Sequence, residues 1–263
     1  MALHRTSSWY RFTSNVKISW ISSTAFATVG TAVVTLIALP VLNVVFDILL
    51  GADLAAPELA RTGYSAALVA MIAAVCGGVV SAVAADRNLG IFEQVHLQRR
   101  FDFAYWLAKA VMPAVLSCIT SFVLFALVTL SAITMGVNDG TQWILLGKTI
   151  LLTPPALLIG IFLGIGAAGL GVNFSDPYMG GNIFAAFLPL AAGVIVPTQY
   201  YPNWLLPLTS VLPGSGLLSY FVSSSVLGIF RDLFFGVCWA VIGVLLARYA
   251  LSRLRTGMRR ESL

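Results

Sequence analysis

Charge is what this sequence has least of. Lysine and arginine number 15 and aspartate and glutamate 10 among 263 residues, 10% of the chain. An ordinary soluble domain carries roughly 25%, so this chain could not cover a soluble fold with hydrated groups. Histidine is rarer still. His4 and His96 are the only two, and neither stands beside a serine or cysteine as the base of a nucleophile would. Acids, bases and metal ligands converge nowhere along the chain, which argues against a membrane-embedded hydrolase and against a metal site. The three cysteines, Cys76, Cys118 and Cys238, are isolated inside apolar stretches. They form no disulfide framework and no zinc spacing, and read as small apolar packing residues. The sequence also lacks a phosphate-binding loop of the form Gly, four residues, Gly-Lys, then Ser or Thr.

What fills the chain instead is hydrocarbon: 59% of residues are hydrophobic and the mean hydropathy is +0.93. About 20 apolar residues are needed to cross a bilayer as a helix. Six runs meet or approach that length, at 24–50, 64–85, 110–135, 148–171, 182–199 and 230–251. The expectation is an all-α integral membrane protein with six transmembrane helices, forming a single transmembrane domain over residues 1–263. The first run is too long for the apolar core of a secretory signal and no convincing small-residue cleavage site follows it, so it reads as an anchor. Pro40, Pro113, Pro154, Pro155 and Pro189 fall within or near the ends of these runs, where neighbouring helices can satisfy the carbonyls a proline frees.

The net charge of +5 and the pI near 9.3 raise the question of nucleic acid. Nearly every cation flanks an apolar run, and no basic face interleaved with aromatics exists, so the basicity belongs to membrane orientation. With both termini in the cytoplasm, the inner segments hold twelve cations, Arg5, Arg11, Lys17, Arg87, Arg99, Arg100, Lys109, Arg248, Arg253, Arg255, Arg259 and Arg260, and the outer ones only Arg61, Lys148 and Arg231. The positive-inside rule selects that orientation, in a plasma membrane.

Three segments are not simple spans. In residues 8–21, Trp9, Phe12, Val16 and Trp20 share a helical face, as expected of a helix lying in the inner interface. In residues 197–229, Pro197, Pro202, Pro207 and Pro213 forbid one continuous helix, so two short helices on the outer face are expected before the last span. The inner loop 86–109 holds a short helix starting near Gly90, with Ile91, Phe92 and Val95 too greasy for a solvated loop.

At this point the chain resembles the permease subunits of the type-2 (exporter) family of ABC transporters. Asp86-Arg87, Gly90, Glu93 and the basic step Lys109 stand where that family carries similar residues. The run Gly193-Val194-Ile195-Val196-Pro197, followed by Trp204-Leu205 and Pro213, is similar to its outer segment. The family's proline at the end of the loop helix is absent, and Pro213-Gly214-Ser215-Gly216 stands where an Asn-Pro is usual. The resemblance implies six spans, a coupling helix that docks a separate ATPase through Gly90, Ile91, Phe92, Glu93 and Val95, and a second permease, identical or not. ATP with magnesium would sit on the partner subunit, and this chain would need no cofactor.

Within the spans, Thr24, Thr28, Thr31 and Thr35 fall on one helical face. They read either as a polar stripe lining a substrate path between two permeases or as packing residues against a neighbouring helix. Gly160, Gly164 and Ala168, with Gly166, Ala167, Gly169 and Gly171 beside them, form a small-residue ridge expected to pack closely. Asp47 and the pair Arg231-Asp232 read as boundary charges near the interface. The function expected is a permease, not an enzyme, that exports an amphipathic or lipophilic compound such as a drug, lipid or peptide. A polysaccharide exporter, a secondary transporter or an immunity protein are the alternatives. Secondary transporters typically show internal repeats and midplane charges, and neither is present here.

Overall fold

The computed structural model describes residues 8–21, 28–54, 56, 58–98, 103–134 and 140–255, and among these there are helices and turns but no strand. In chain order the helices are α1 (Ser8–Ile21), α2 (Val29–Asp53), α3 (Leu59–Asn88), α4 (Ile91–Gln98), α5 (Phe103–Thr134), α6 (Thr141–Gly171), α7 (Met179–Ala192), α8 (Leu206–Val211), α9 (Ser215–Ser223) and α10 (Leu227–Arg255). Five of them, α2, α3, α5, α6 and α10, are long and apolar enough to cross a membrane, which marks a multi-pass membrane protein.

The run at 182–199, expected as a full span, is not one helix. α7 has 14 residues, about 21 Å of rise against a hydrocarbon core of about 30 Å. It stops because Gly193 takes a left-handed conformation (φ +74°) with its N–H turned back to Leu190 O. A short 3₁₀ turn, Thr198–Tyr200, follows Pro197. The apolar run continues past the helix, and hydropathy alone cannot register where a glycine ends it. A second irregularity sits in α2. Pro40 has no N–H to donate, and just before it the ladder widens to a π turn over Val34–Ala38, with Leu39 N–H reaching Val34 O.

α3 and α6 form the centre of the bundle. α6 presents small residues on two sides. Gly160 and Gly164 lie against α3, where an added Cβ would come within 2.8 Å of Val75 Cβ and of Val79 Cβ. Gly166 and Gly169 lie against α10, where Gly169 meets the backbone of Gly243 directly. The expected small-residue ridge is therefore a packing surface on both sides, and close backbone approach gives dispersion contacts without a hydrophobic driving force. α5 also packs on α3, with Pro113 seated over Gly78. By contrast, α2 and α10 present most of their apolar side chains outward.

α1 rests on α5. Its covered side is Phe12, Asn15, Val16 and Ser19, while Trp9 and Trp20 remain exposed. The aromatic face read from the sequence is thus divided, with Phe12 and Val16 turned to the protein and the two tryptophans outward.

Candidate partner-docking site and the charged helix ends

At the Asn88 end of the bundle, α3 passes into α4 with only Leu89 and Gly90 between them. Gly90 takes φ +70°, and its carbonyl accepts from Gln94 N to start the new helix. α4 is held by an aromatic cluster. The Phe92 ring lies 4.3 Å from the His96 ring, 6.0 Å from Tyr105 and 6.2 Å from Trp106. His96 Nδ1–H donates to Phe92 O at 2.9 Å. Beneath this cluster, Lys109 Nζ lies 2.9 Å from Asp86 Oδ1 and 2.8 Å from Oδ2. The Tyr105 hydroxyl donates to Asp86 Oδ2 at 2.8 Å. Arg87 Nη1 donates to Gly171 O at 2.9 Å, at the end of α6. The aromatic cluster therefore ties α4 to α5, and the buried ion pair ties α3 to α5.

This arrangement divides the residues expected to meet a partner. Phe92 is 0% exposed, so the reading that a partner's groove buries it is corrected: its own chain already does. Val95 is half-buried against the core, and Glu93 is half-buried. The surface presented outward is Leu89, 72% exposed, and Ile91, 41% exposed, with Gln94 and half-buried Gly90 beside them. A three-or-four spacing of apolar residues reveals an amphipathic helix but not which body covers it. His96, which has no role in the sequence reading, belongs to the mount. Its place four residues after Phe92 was the available signal.

Of the threonine stripe, Thr24 lies outside the described residues. Thr28, which caps α2, and Thr31 and Thr35 within it are all exposed, and among the described residues none of the three is buried by another helix. Thr28 is the N-cap of α2, with Thr31 N donating to its hydroxyl at 3.0 Å and the two hydroxyls 2.8 Å apart. Asp47 is half-buried near the far end of the same helix.

The opposite end holds a second set of charges, and Asp232, Arg231, Lys148 and Arg61 among them are engaged at helix ends. Asp232 is 0% exposed, not an interfacial boundary charge. Its Oδ2 accepts from Gly214 N and Leu217 N, both at 2.8 Å, capping the N-terminus of α9, which has no cap of its own. Arg231 lies 3.1 Å from Asp232 Oδ1 and also contacts the Ser215 hydroxyl. At the other end of α9, Lys148 Nζ donates to Phe221 O at 3.0 Å. Arg61, also buried, reaches Gly193 O at 3.5 Å, just past the end of α7. Tyr201 donates to Leu190 O at 2.8 Å.

No group of three or more His, Cys, Asp or Glu able to hold a metal occurs among the described residues. Comparison of the chain with protein-family models and with curated proteins finds no match in either.

Proposed function

We propose that this chain is the membrane-spanning permease subunit of an ATP-driven exporter of the ABC type-2 kind. It moves an amphipathic or lipophilic compound out of the cytoplasm or inner leaflet, and a separate ATPase carries the ATP and magnesium. The observation that supports this best is the mounting of α4: a short helix continuing from α3 and packed by Phe92 on Tyr105 and Trp106 of α5, presenting Leu89 and Ile91 outward from the cation-rich end of the bundle. A helix that must pass force between an ATPase and a bundle needs a stiff joint and an apolar tip.

In this reading the Asn88 end is cytoplasmic and α4 is the coupling helix. The three cations assigned outside, Arg61, Lys148 and Arg231, all serve helix ends or an ion pair, so they do not weigh against the positive-inside count. α7 and the segment after it make the sixth crossing, and α8 and α9 lie at the outer face. α1 lies along the inner interface, with Trp9 and Trp20 toward headgroups.

Co-purification tests the reading. An ABC ATPase should accompany the tagged wild-type chain in stoichiometric amount. Ile91→Asp should lose it with little change in the melting temperature in detergent, because Ile91 is exposed and lies outside the buried core. A complex retained by Ile91→Asp would place the dock elsewhere.

The second permease of this reading sits against α2, with the exposed threonine face toward the substrate path. Thr31→Trp should then leave the melting temperature unchanged and ATP hydrolysis intact while export fails. Normal export by Thr31→Trp would assign the stripe to lipid.

A further inference from the structure

Between α5 and α6, toward their Thr134 and Thr141 ends, the surface opens into a groove of about 390 Å³. One wall is the face of α5 across positions 122–133, and the other is Leu146 and Ile150 of α6. Thr129 is the one polar residue of the lining. Its hydroxyl is engaged with Phe125 O at 2.7 Å and with the Tyr64 hydroxyl of α3 at 2.7 Å. No side-chain donor or acceptor of the wall is left to hold a polar solute, and a water would lack the two to four partners it needs.

We infer that this groove binds one acyl chain of a membrane lipid, in the leaflet on the Thr134 side. The inference is separate from the transport reading and uses none of the residues assigned to it. The groove is continuous with the outward-facing apolar surface: Phe122, Leu130, Ile133 and Ile150 of its lining are exposed. Its length also fits. Positions 122 to 133 on a helix span about 16 Å, and one leaflet contributes about 15 Å of a core about 30 Å thick. Its volume lies within the range of small-molecule sites, roughly 300–1,000 Å³. A helix of a second copy is the poorer occupant. Helices meet in bilayers across small residues that let backbones approach, whereas six of the eight residues lining this groove are large, and of the two small ones, Ala126 and Thr129, the threonine is already buried against Tyr64. A flexible chain can follow such a wall and restore the dispersion contacts that an empty groove forgoes.

Photolabelling tests the assignment. The full chain is reconstituted in phosphatidylcholine vesicles containing a trace of phosphatidylcholine with a diazirine in mid-chain. Adducts are then mapped by peptide. Positions 122–133 and 143–150 should be labelled several-fold more than α10 around Phe230 and Phe234, which are at least as exposed. Ala126→Trp, which fills the groove, should reduce its labelling to the α10 level and leave α10 unchanged. Ile150→Phe narrows the groove from the other wall and serves if the first variant fails to fold. Equal labelling of groove and α10 overturns the inference, as does groove labelling that persists in a folded filled variant. Efficient crosslinking between copies through Ala126→Cys would also overturn it, by giving the groove to a second protomer.

Discussion

Lys109→Met is expected to destabilise the protein by about 3–5 kcal/mol, the usual cost of removing one partner of a buried ion pair. The pair is shielded, with side-chain exposures of 7% for Lys109 and 12% for Asp86, so water does little to compensate the stranded carboxylate. The Tyr105 hydroxyl remains as a donor to Asp86, but one neutral hydrogen bond does not balance a buried charge. Asp86→Leu combined with Lys109→Met should recover most of the loss, because two apolar groups replace a pair whose desolvation cost is comparable to its attraction. A double-mutant cycle on melting temperature in detergent measures this. A single-mutant loss below about 1 kcal/mol would be the behaviour of a solvated surface pair instead.

Gly169→Ala is the second large effect. Alanine exceeds glycine in intrinsic helix propensity by about 1 kcal/mol, so propensity alone predicts a gain. The added methyl would instead enter the backbone of Gly243 on α10, and neither helix has a side chain that can rotate away. Overpacking of this kind costs about 1–3 kcal/mol or more, so the net change should be a loss, with α10 displaced from α6. Gly147 on the same helix is the control: nothing lies within 4 Å of a Cβ there, and Gly147→Ala should be neutral or slightly stabilising. Equal melting temperatures for the two variants would show that α6 and α10 do not approach this closely.

These two sites differ in how far the sequence disclosed them. The glycine ridge of α6 was visible as a spacing of small residues, and its role as a packing surface follows from that spacing. Which glycine meets which helix was not visible, because one helix carries two such faces. Asp86 and Lys109 were visible only as family-like positions. Their contact joins residues 23 apart on antiparallel helices, and no local pattern encodes it. The charges at the other end are similar. Asp232 looked like the polar edge of a span, yet its carboxylate caps a helix that begins 17 residues earlier in the chain.

By itself the sequence determined that the protein is helical, spans a membrane several times and places its apolar runs close to where the long helices lie. Hydropathy and helical rise are local properties, summed over about 20 consecutive residues, so a linear reading captures them. Tertiary structure decided which body covers each apolar face and which partner neutralises each buried charge. It turned Phe92 inward and Ile91 outward on one short helix, left Thr28, Thr31 and Thr35 uncovered, and ended α7 at Gly193 within an unbroken apolar run. Periodicity identifies a face that must be buried or lie against lipid, whereas its occupant is set by residues distant in the chain that come close only after folding.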